Sequence, residues 1–334
     1  LAAQKLASAG VMAVIGTYGS AVTEASQNII DEAEIMQIAT GSTSVRLTEK
    51  GLPLFFRTCP RDDEQGRVAS KVIAAKGFKK VAILHDNSSY AKGLAEEAQK
   101  GLKDAGVPVV FYDALTPSER DYTAILTKLK AADPDLIFFT GYYPEAGMLL
   151  RQKKEMHWDV PMMGGDAANN TDLVKIAGKD AAKGYFFISP PSAHDFDTPE
   201  AKDFFSRYKA QYNSLPSSVW SVLAGDAFKV IVAALQAGTD ANPEAVAKYL
   251  KKDLKEYPGL TGKLGGTHRQ GVSGQGPAAG RLALCGKGRP HRRPLQGLRS
   301  GRQRRVRASE VRFSAPGRMP SGSLRSFGFF SWVR

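Results

Sequence analysis

Short apolar runs alternate along the chain with longer segments in which apolar residues recur every three or four positions. The runs are VMAVIG (11–16), IMQIAT (35–40), VAILHD (81–86), VPVVFYD (107–113), DLIFFTG (135–141), VPMMGGD (160–166) and GYFFIS (184–189). Each is too short for a helix and continuous enough to be buried on both faces, which predicts strands of parallel sheets. The segments between them read as helices. In YAKGLAEEAQKGLKDAG (90–106), Leu94, Ala95, Ala98, Leu102 and Ala105 share one stripe while Glu96, Glu97, Lys100 and Lys103 face water, and Gly106 supplies the stop. Strand-helix alternation of this kind predicts doubly wound α/β lobes, whose ligands bind outside the carboxyl ends of the strands.

Those ends are GTYGS (16–20), TGSTS (40–44), HDNSSY (85–90), TGYYPE (140–145) and GGDAANN (164–170). None is a dinucleotide fingerprint or a P-loop. They share small residues that let a ligand approach backbone N–H groups, together with Ser, Thr, Tyr and one buried-looking acid. Ser20, just before AVTEASQNII, is placed as an N-cap, where a helix N-terminus attracts a carboxylate. Asp166 complements an ammonium. Anion donors in one set of loops and a carboxylate with tyrosines in another suit a zwitterion. Each residue alone also fits an ordinary cap or turn role.

Length and charge add a division of the chain. With 334 residues, about two domains are expected. The formal charge of +13 is carried by the end of the chain: residues 265–334 hold 14 Arg, one Lys and one acid, whereas residues 1–264 have a net charge of −1. Forty-five of those last 70 residues are Gly, Arg, Ser, Pro or Ala, without helix or strand periodicity. Such a segment cannot bury a core. It is expected to be disordered, as an out-of-frame translation of GC-rich DNA, a nucleic-acid tail or a solvated linker. GRQRRVR (301–307) could neutralise phosphates, but no aromatic residues are interleaved with it as a stacking platform requires. The opening LAAQKLASAG reads as the end of an amphipathic helix without a signal-peptide core. No run approaches the roughly 20 apolar residues of a membrane helix.

Residues that could suggest catalysis are isolated. His85, His157 and His194 do not fall at metal-ligand spacing and read as surface or turn histidines, and no Ser or Cys sits in a nucleophile elbow. Cys59 reads as a small buried hydrophobe, and Asp62, Asp63 and Glu64 as acids complementing a helix dipole. No enzyme activity, cofactor or metal is expected.

The run AVIGTYGSAVTEASQNIIDEAEIMQIATGSTSVRLTEKGLPLFFRT, with KKVAILHDNSSYAKGLAEEAQKGLKDAG and DLIFFTGYYPEAGMLLRQ, resembles the branched-chain amino acid (leucine/isoleucine/valine) binding proteins of bacterial ABC importers. The similarity covers residues 1–264. It implies the two-lobed α/β fold of type I periplasmic binding proteins, with a first strand, first helix, second strand and most of a second helix preceding Leu1. By the same resemblance Ser20, Gly41 and Thr43 hold the ligand α-carboxylate and part of its amino group. Tyr90, Tyr142 and Asp166 close on it from the second lobe, Asp166 standing where leucine-binding members carry Glu. Trp220, in SSVWSVLAGDA, and Tyr18 line the side-chain pocket, and both are bulky. The implied lobes are residues 1–60 plus 190–264 and residues 61–189, with chain crossings near 58–61 and 189–192. The implied role is that of a monomeric periplasmic receptor that hands an amino acid to membrane permease subunits and has no nucleic-acid partner. A sensor of amino acids or amides on the same fold is the alternative.

Overall fold

The computed structural model describes residues 1–265 and 330–332. After a short helix, α1 (Ala2–Ser8), the apolar runs become strands β1 (Ala13–Ile15) and β2 (Met36–Ala39), joined by helix α2 (Ser20–Glu32). A one-turn helix, α3 (Arg46–Glu49), leads to β3 (Phe55–Arg57), and the three strands form a parallel sheet in the order β1-β2-β3. β3 is a strand that the run-by-run reading omits, because its apolar core is only two residues long before Arg57.

Beyond Arg57 the chain leaves this sheet and builds a second one. Its elements are α4 (Asp62–Ala75), β4 (Val81–His85), α5 (Ser89–Asp104), β5 (Val109–Ala114), α6 (Thr123–Ala131), β6 (Leu136–Phe139), α7 (Tyr143–Glu155), β7 (Met162–Gly164), α8 (Asp172–Ala177), α9 (Lys179–Ala182) and β8 (Phe186–Ile188). The strands from β4 to β8 are parallel, ordered β8-β7-β6-β4-β5. Because successive side chains of a strand point to opposite faces, β4 divides its residues between two cores. Val81 and Ile83 pack with Leu94 and Ala98 of α5, and Ala82 and Leu84 with Leu126 of α6 and Leu149 of α7. This is the physical content of a continuous apolar run. β5 departs from it: the strand lies at the sheet edge and is only partly buried, since among the described residues no strand pairs with its outer side. Ala105 likewise leaves the predicted stripe of α5, as an exposed C-cap ahead of Gly106 at φ +70°.

The chain then returns to the first sheet. Helices α10 (Pro199–Tyr212), α11 (Val219–Gln236) and α12 (Pro243–Lys252) precede a hairpin of β9 (Tyr257–Gly259) and β10 (Gly262–Leu264). Ala227, Val230, Ile231 and Ala234 of α11 and Val246 and Leu250 of α12 bury Met36, Ile38 and Phe56. α11 has the length and mean hydropathy (1.4) of a membrane span, yet half of it is buried as this core helix. Asp226 ties it to the hairpin by accepting the Leu260 and Thr261 N–H groups at 2.6 and 3.1 Å and the Thr261 hydroxyl at 2.6 Å. The tail expected to be disordered lies outside the described residues, apart from Gly265 and β11 (Phe330–Trp332), which pairs antiparallel with β8. The outer edge of β8 offers the unpaired backbone groups that such a strand satisfies.

Candidate functional site

The loops leaving β1, β2, β6 and β7, with the first turns of α5 and α11, converge on a narrow cavity between the two sheets. Its walls are Tyr18, Ser20, Gly41, Tyr90, Tyr142, Asp166, Ala167 and Trp220. Seven of the eight residues proposed from sequence thus meet at one place. Thr43, the eighth, is buried just behind the wall, its Oγ1 beside the Asp62 carboxyl without reaching hydrogen-bond geometry.

On the first-sheet side, α2 begins at the cavity. Its N-cap is Gly19 in an extended conformation and not Ser20, which is the first helical residue. The Ser20 hydroxyl is turned to the neighbouring loop, where it accepts the Ser44 N–H at 3.1 Å. Thr17, Thr23 and Ser42 join the same two loops through hydroxyl contacts of 2.8 and 2.7 Å. Gly41 is required by crowding: a Cβ there would lie 2.6 Å from the Tyr18 ring and 3.1 Å from its carbonyl oxygen.

On the second-sheet side, Asp166 opens a short 3-10 turn after β7 and is 2% exposed. Its N–H donates to Gln65 Oε1 at 2.9 Å, and the next N–H, of Ala167, donates to the Tyr90 hydroxyl at 3.3 Å. The Tyr90 phenol lies beside the Asp166 carboxylate, whose Oδ2 has no partner among the described residues. Burial raises the Asp166 pKa to about 6, against the opposing pull of Tyr90 and Gln65. The same burial, together with the Asp166 charge, holds the Tyr90 phenol above its ordinary value.

Asp62 is the residue whose burial the sequence reading left out. It starts α4 as expected, but it is completely buried, with neither carboxylate oxygen partnered among the described residues. Burial and, second, the nearby Asp166 carboxylate push its pKa well up. The helical stripe gives the signal for it: Asp62, Gln65, Gly66, Ala69 and Ile73 all lie inward on α4. His85 is also more buried than expected, because its Nδ1 accepts the Asn87 N–H at 3.0 Å inside the turn after β4. His157 is exposed and Cys59 is buried.

Four aromatic rings cross the cleft. Trp220 meets Tyr18 at 5.5 Å, Tyr18 meets Tyr142 at 6.5 Å, and Tyr142 meets Tyr90 at 5.3 Å between centroids. Among the described residues no cluster of His, Cys, Asp or Glu could hold a metal ion. The cleft therefore offers hydroxyls and a helix N-terminus on one side, buried unpaired carboxyl oxygens on the other, and aromatic faces between them. This set matches a compact ligand bearing an anion and a cation.

Known proteins share this organisation. A leucine-, isoleucine-, valine-, threonine- and alanine-binding protein of Pseudomonas aeruginosa is 35% identical over 264 residues, covering 79% of this chain and 69% of the relative. The leucine-binding protein LivK of Thermotoga maritima superposes with a TM-score of 0.72 at 26% identity, over 79% of this chain and 77% of that structure. LivJ of Streptococcus pneumoniae, solved with isoleucine, gives 0.71 at 29% identity over 84% and 76%. The model of the periplasmic binding protein family matches residues 1–281. Two parallel sheets facing each other across a cleft lined by strand ends are thus the fold of a family to which this chain belongs, that of the periplasmic binding proteins.

Proposed function

We propose that this chain is the substrate-binding component of an ABC importer, taking up a free amino acid with a branched-chain or related hydrophobic side chain in the cleft. The observation that carries this reading is the buried Asp166 carboxyl, whose Oδ2 has no partner among the described residues, across the cavity from Ser20 and the start of α2. A buried charge without a partner is costly, so such a carboxylate is explained by a ligand ammonium. Ser20, Gly41 and Thr43 take the α-carboxylate, and Tyr90, Tyr142 and Asp166 enclose the amino end. Tyr18 and Trp220 set the side-chain volume. The lobes comprise residues 1–60 with 190–264, and residues 61–189, an allocation supported by the change of sheet after Arg57 and again after Ile188. In this reading the protein is a periplasmic, non-catalytic monomer that delivers its ligand to permease subunits and does not bind nucleic acid.

Calorimetric titration with L-isoleucine tests the assignment. Truncating one member of a buried, hydrogen-bonded charge pair costs about 2 to 5 kcal/mol. Asp166→Ala should therefore lose roughly 30-fold to several thousand-fold in affinity. Asp166→Glu should retain binding. Asp172→Ala, which only removes a surface pair with Lys175, should change little. Binding by Asp166→Ala within threefold of the unaltered chain would place the ammonium elsewhere.

A further inference from the structure

Arg57, on β3, is 1% exposed and among the described residues faces no carboxylate at ion-pair distance. Its guanidinium instead grips the loop after β2. Nη1 donates to the Ser42 carbonyl at 3.0 Å, and Nη2 to the Ser44 carbonyl at 2.8 Å and to Thr48 Oγ1 at 3.2 Å. The Cys59 thiol adds a second donor to the Ser42 carbonyl at 3.4 Å. A trans peptide unit holds its C=O and N–H antiparallel. Drawing the Ser42 oxygen down to Arg57 therefore turns the Thr43 N–H the other way, away from the core of this lobe. That N–H takes part in no hydrogen bond among the described residues, and neither does Thr43 Oγ1. The Thr43 carbonyl is fixed separately, accepting the Asp62 N–H at 3.0 Å.

We propose that Arg57 is a positioning residue for recognition of the ligand carboxylate: its grip on the Ser42 and Ser44 carbonyls holds the Thr43 N–H in the donor orientation before any ligand arrives. The inference rests on the reading that the first lobe receives a carboxylate. Arg57 does not touch the ligand. It acts through the loop, and its value lies in orientation fixed in advance, which removes an ordering cost from binding. A planar fork that satisfies three acceptors at once is a property of Arg that Lys does not share.

The test compares L-isoleucine with L-isoleucinamide, which keeps the ammonium and side chain but lacks the carboxylate. Both are titrated into the whole 334-residue chain, into Arg57→Lys and into Thr48→Val, with circular dichroism confirming the fold. The unaltered chain should favour the acid strongly. Arg57→Lys should shrink the acid-over-amide preference tenfold or more, and Thr48→Val, which removes one of the three anchors, about threefold. A merely structural role would weaken acid and amide by the same factor and leave the preference intact, which overturns the proposal. If Arg57→Lys does not fold, Thr48→Val decides alone, and an unchanged preference in it overturns the proposal equally. If the unaltered chain binds neither compound, the carboxylate reading fails first and the role of Arg57 with it.

Discussion

Asp62 and Asp166 place two carboxyl groups in one buried site, where three of the four oxygens have no partner among the described residues. Asp166 in the ligand-free protein keeps its proton up to about pH 6, because burial disfavours the anion. A ligand ammonium reverses that preference, so binding below pH 6 must expel a proton. Affinity for L-isoleucine should be flat above about pH 6 and fall roughly tenfold for each pH unit below it. The heat of binding at pH 5 should then depend on the ionisation enthalpy of the buffer, whereas at pH 8 it should not. The sign for stability is opposite. The native state holds a proton that the unfolded chain gives up near roughly pH 4, so the ligand-free fold should lose stability as pH rises from there to about 6. At this scale the residues proposed from sequence at strand ends and in the first turns of α5 and α11 gather at the cavity, whereas the burial of Asp62 at the head of α4 went unread. A carboxylate at the head of α4 suits the helix dipole whether it points out or in, and only the inward stripe through Gln65 and Gly66 distinguishes the two. The Ser20 hydroxyl misled for a related reason. The capping preference is local, and a tertiary donor, the Ser44 N–H, competed for it successfully.

At the scale of elements, the contact between α4 and α5 fixes how Asp62 and Tyr90 approach each other, and it depends on missing side chains. A Cβ on Gly66 would lie 2.8 Å from the Glu97 carbonyl carbon and 2.9 Å from the Ala98 nitrogen, both backbone atoms that cannot step aside. Ser70 completes the seam by donating to the Gly66 carbonyl at 2.8 Å and lying 3.1 Å from that of Ala98. Gly66→Ala gains about 1 kcal/mol of helix propensity. Separating the two helices should cost about 1 to 3 kcal/mol. The net change should be destabilising, read as a lower urea midpoint at unchanged slope. Strands were legible where both faces of a run are buried, as in β4 and β6. They were illegible where a strand is two apolar residues and an arginine, as in β3, or where a hairpin of three-residue strands depends on Asp226 of a distant helix to hold it. Neither depends on periodicity, the one signal a single sequence displays.

Across the whole molecule, the proposed ligand groups are shared between the two proposed lobes, joined by the segments after β3 and β8. Next to the first crossing they are tied by the Asp62 N–H to Thr43 carbonyl bond at 3.0 Å and by Arg61 to Thr48 Oγ1 at 3.0 Å, and further away the contacts are slighter. Arg46 and Glu96 stand 3.9 Å apart on exposed surface, a pair of little energetic weight, and Tyr142 reaches over to Tyr18. Periplasmic binding proteins are among the standard examples of hinge closure around a ligand. The whole chain should accordingly compact on adding L-isoleucine, with a smaller radius of gyration in small-angle scattering. Unchanged dimensions at saturation would argue against closure. The parallel α/β character was legible in the alternation of runs and helices, whereas the two-lobed plan is what the family resemblance implies. The facing of the lobes across one cavity was not legible, since it arises from contacts between residues more than a hundred positions apart, such as Tyr18 with Tyr142.

The aromatic series across the cleft has an optical consequence. In the proposed allocation Trp220 and Tyr18 belong to one lobe and Tyr142 and Tyr90 to the other, and the neighbouring rings stand 5.3 to 6.5 Å apart. Excitation absorbed by the tyrosines of the second lobe therefore has a short route to the indole of the first, and parting the lobes breaks that route at the step between Tyr142 and Tyr18. The cleft thus carries its own donor and acceptor, and the ratio of tyrosine to tryptophan emission should change as the two halves part.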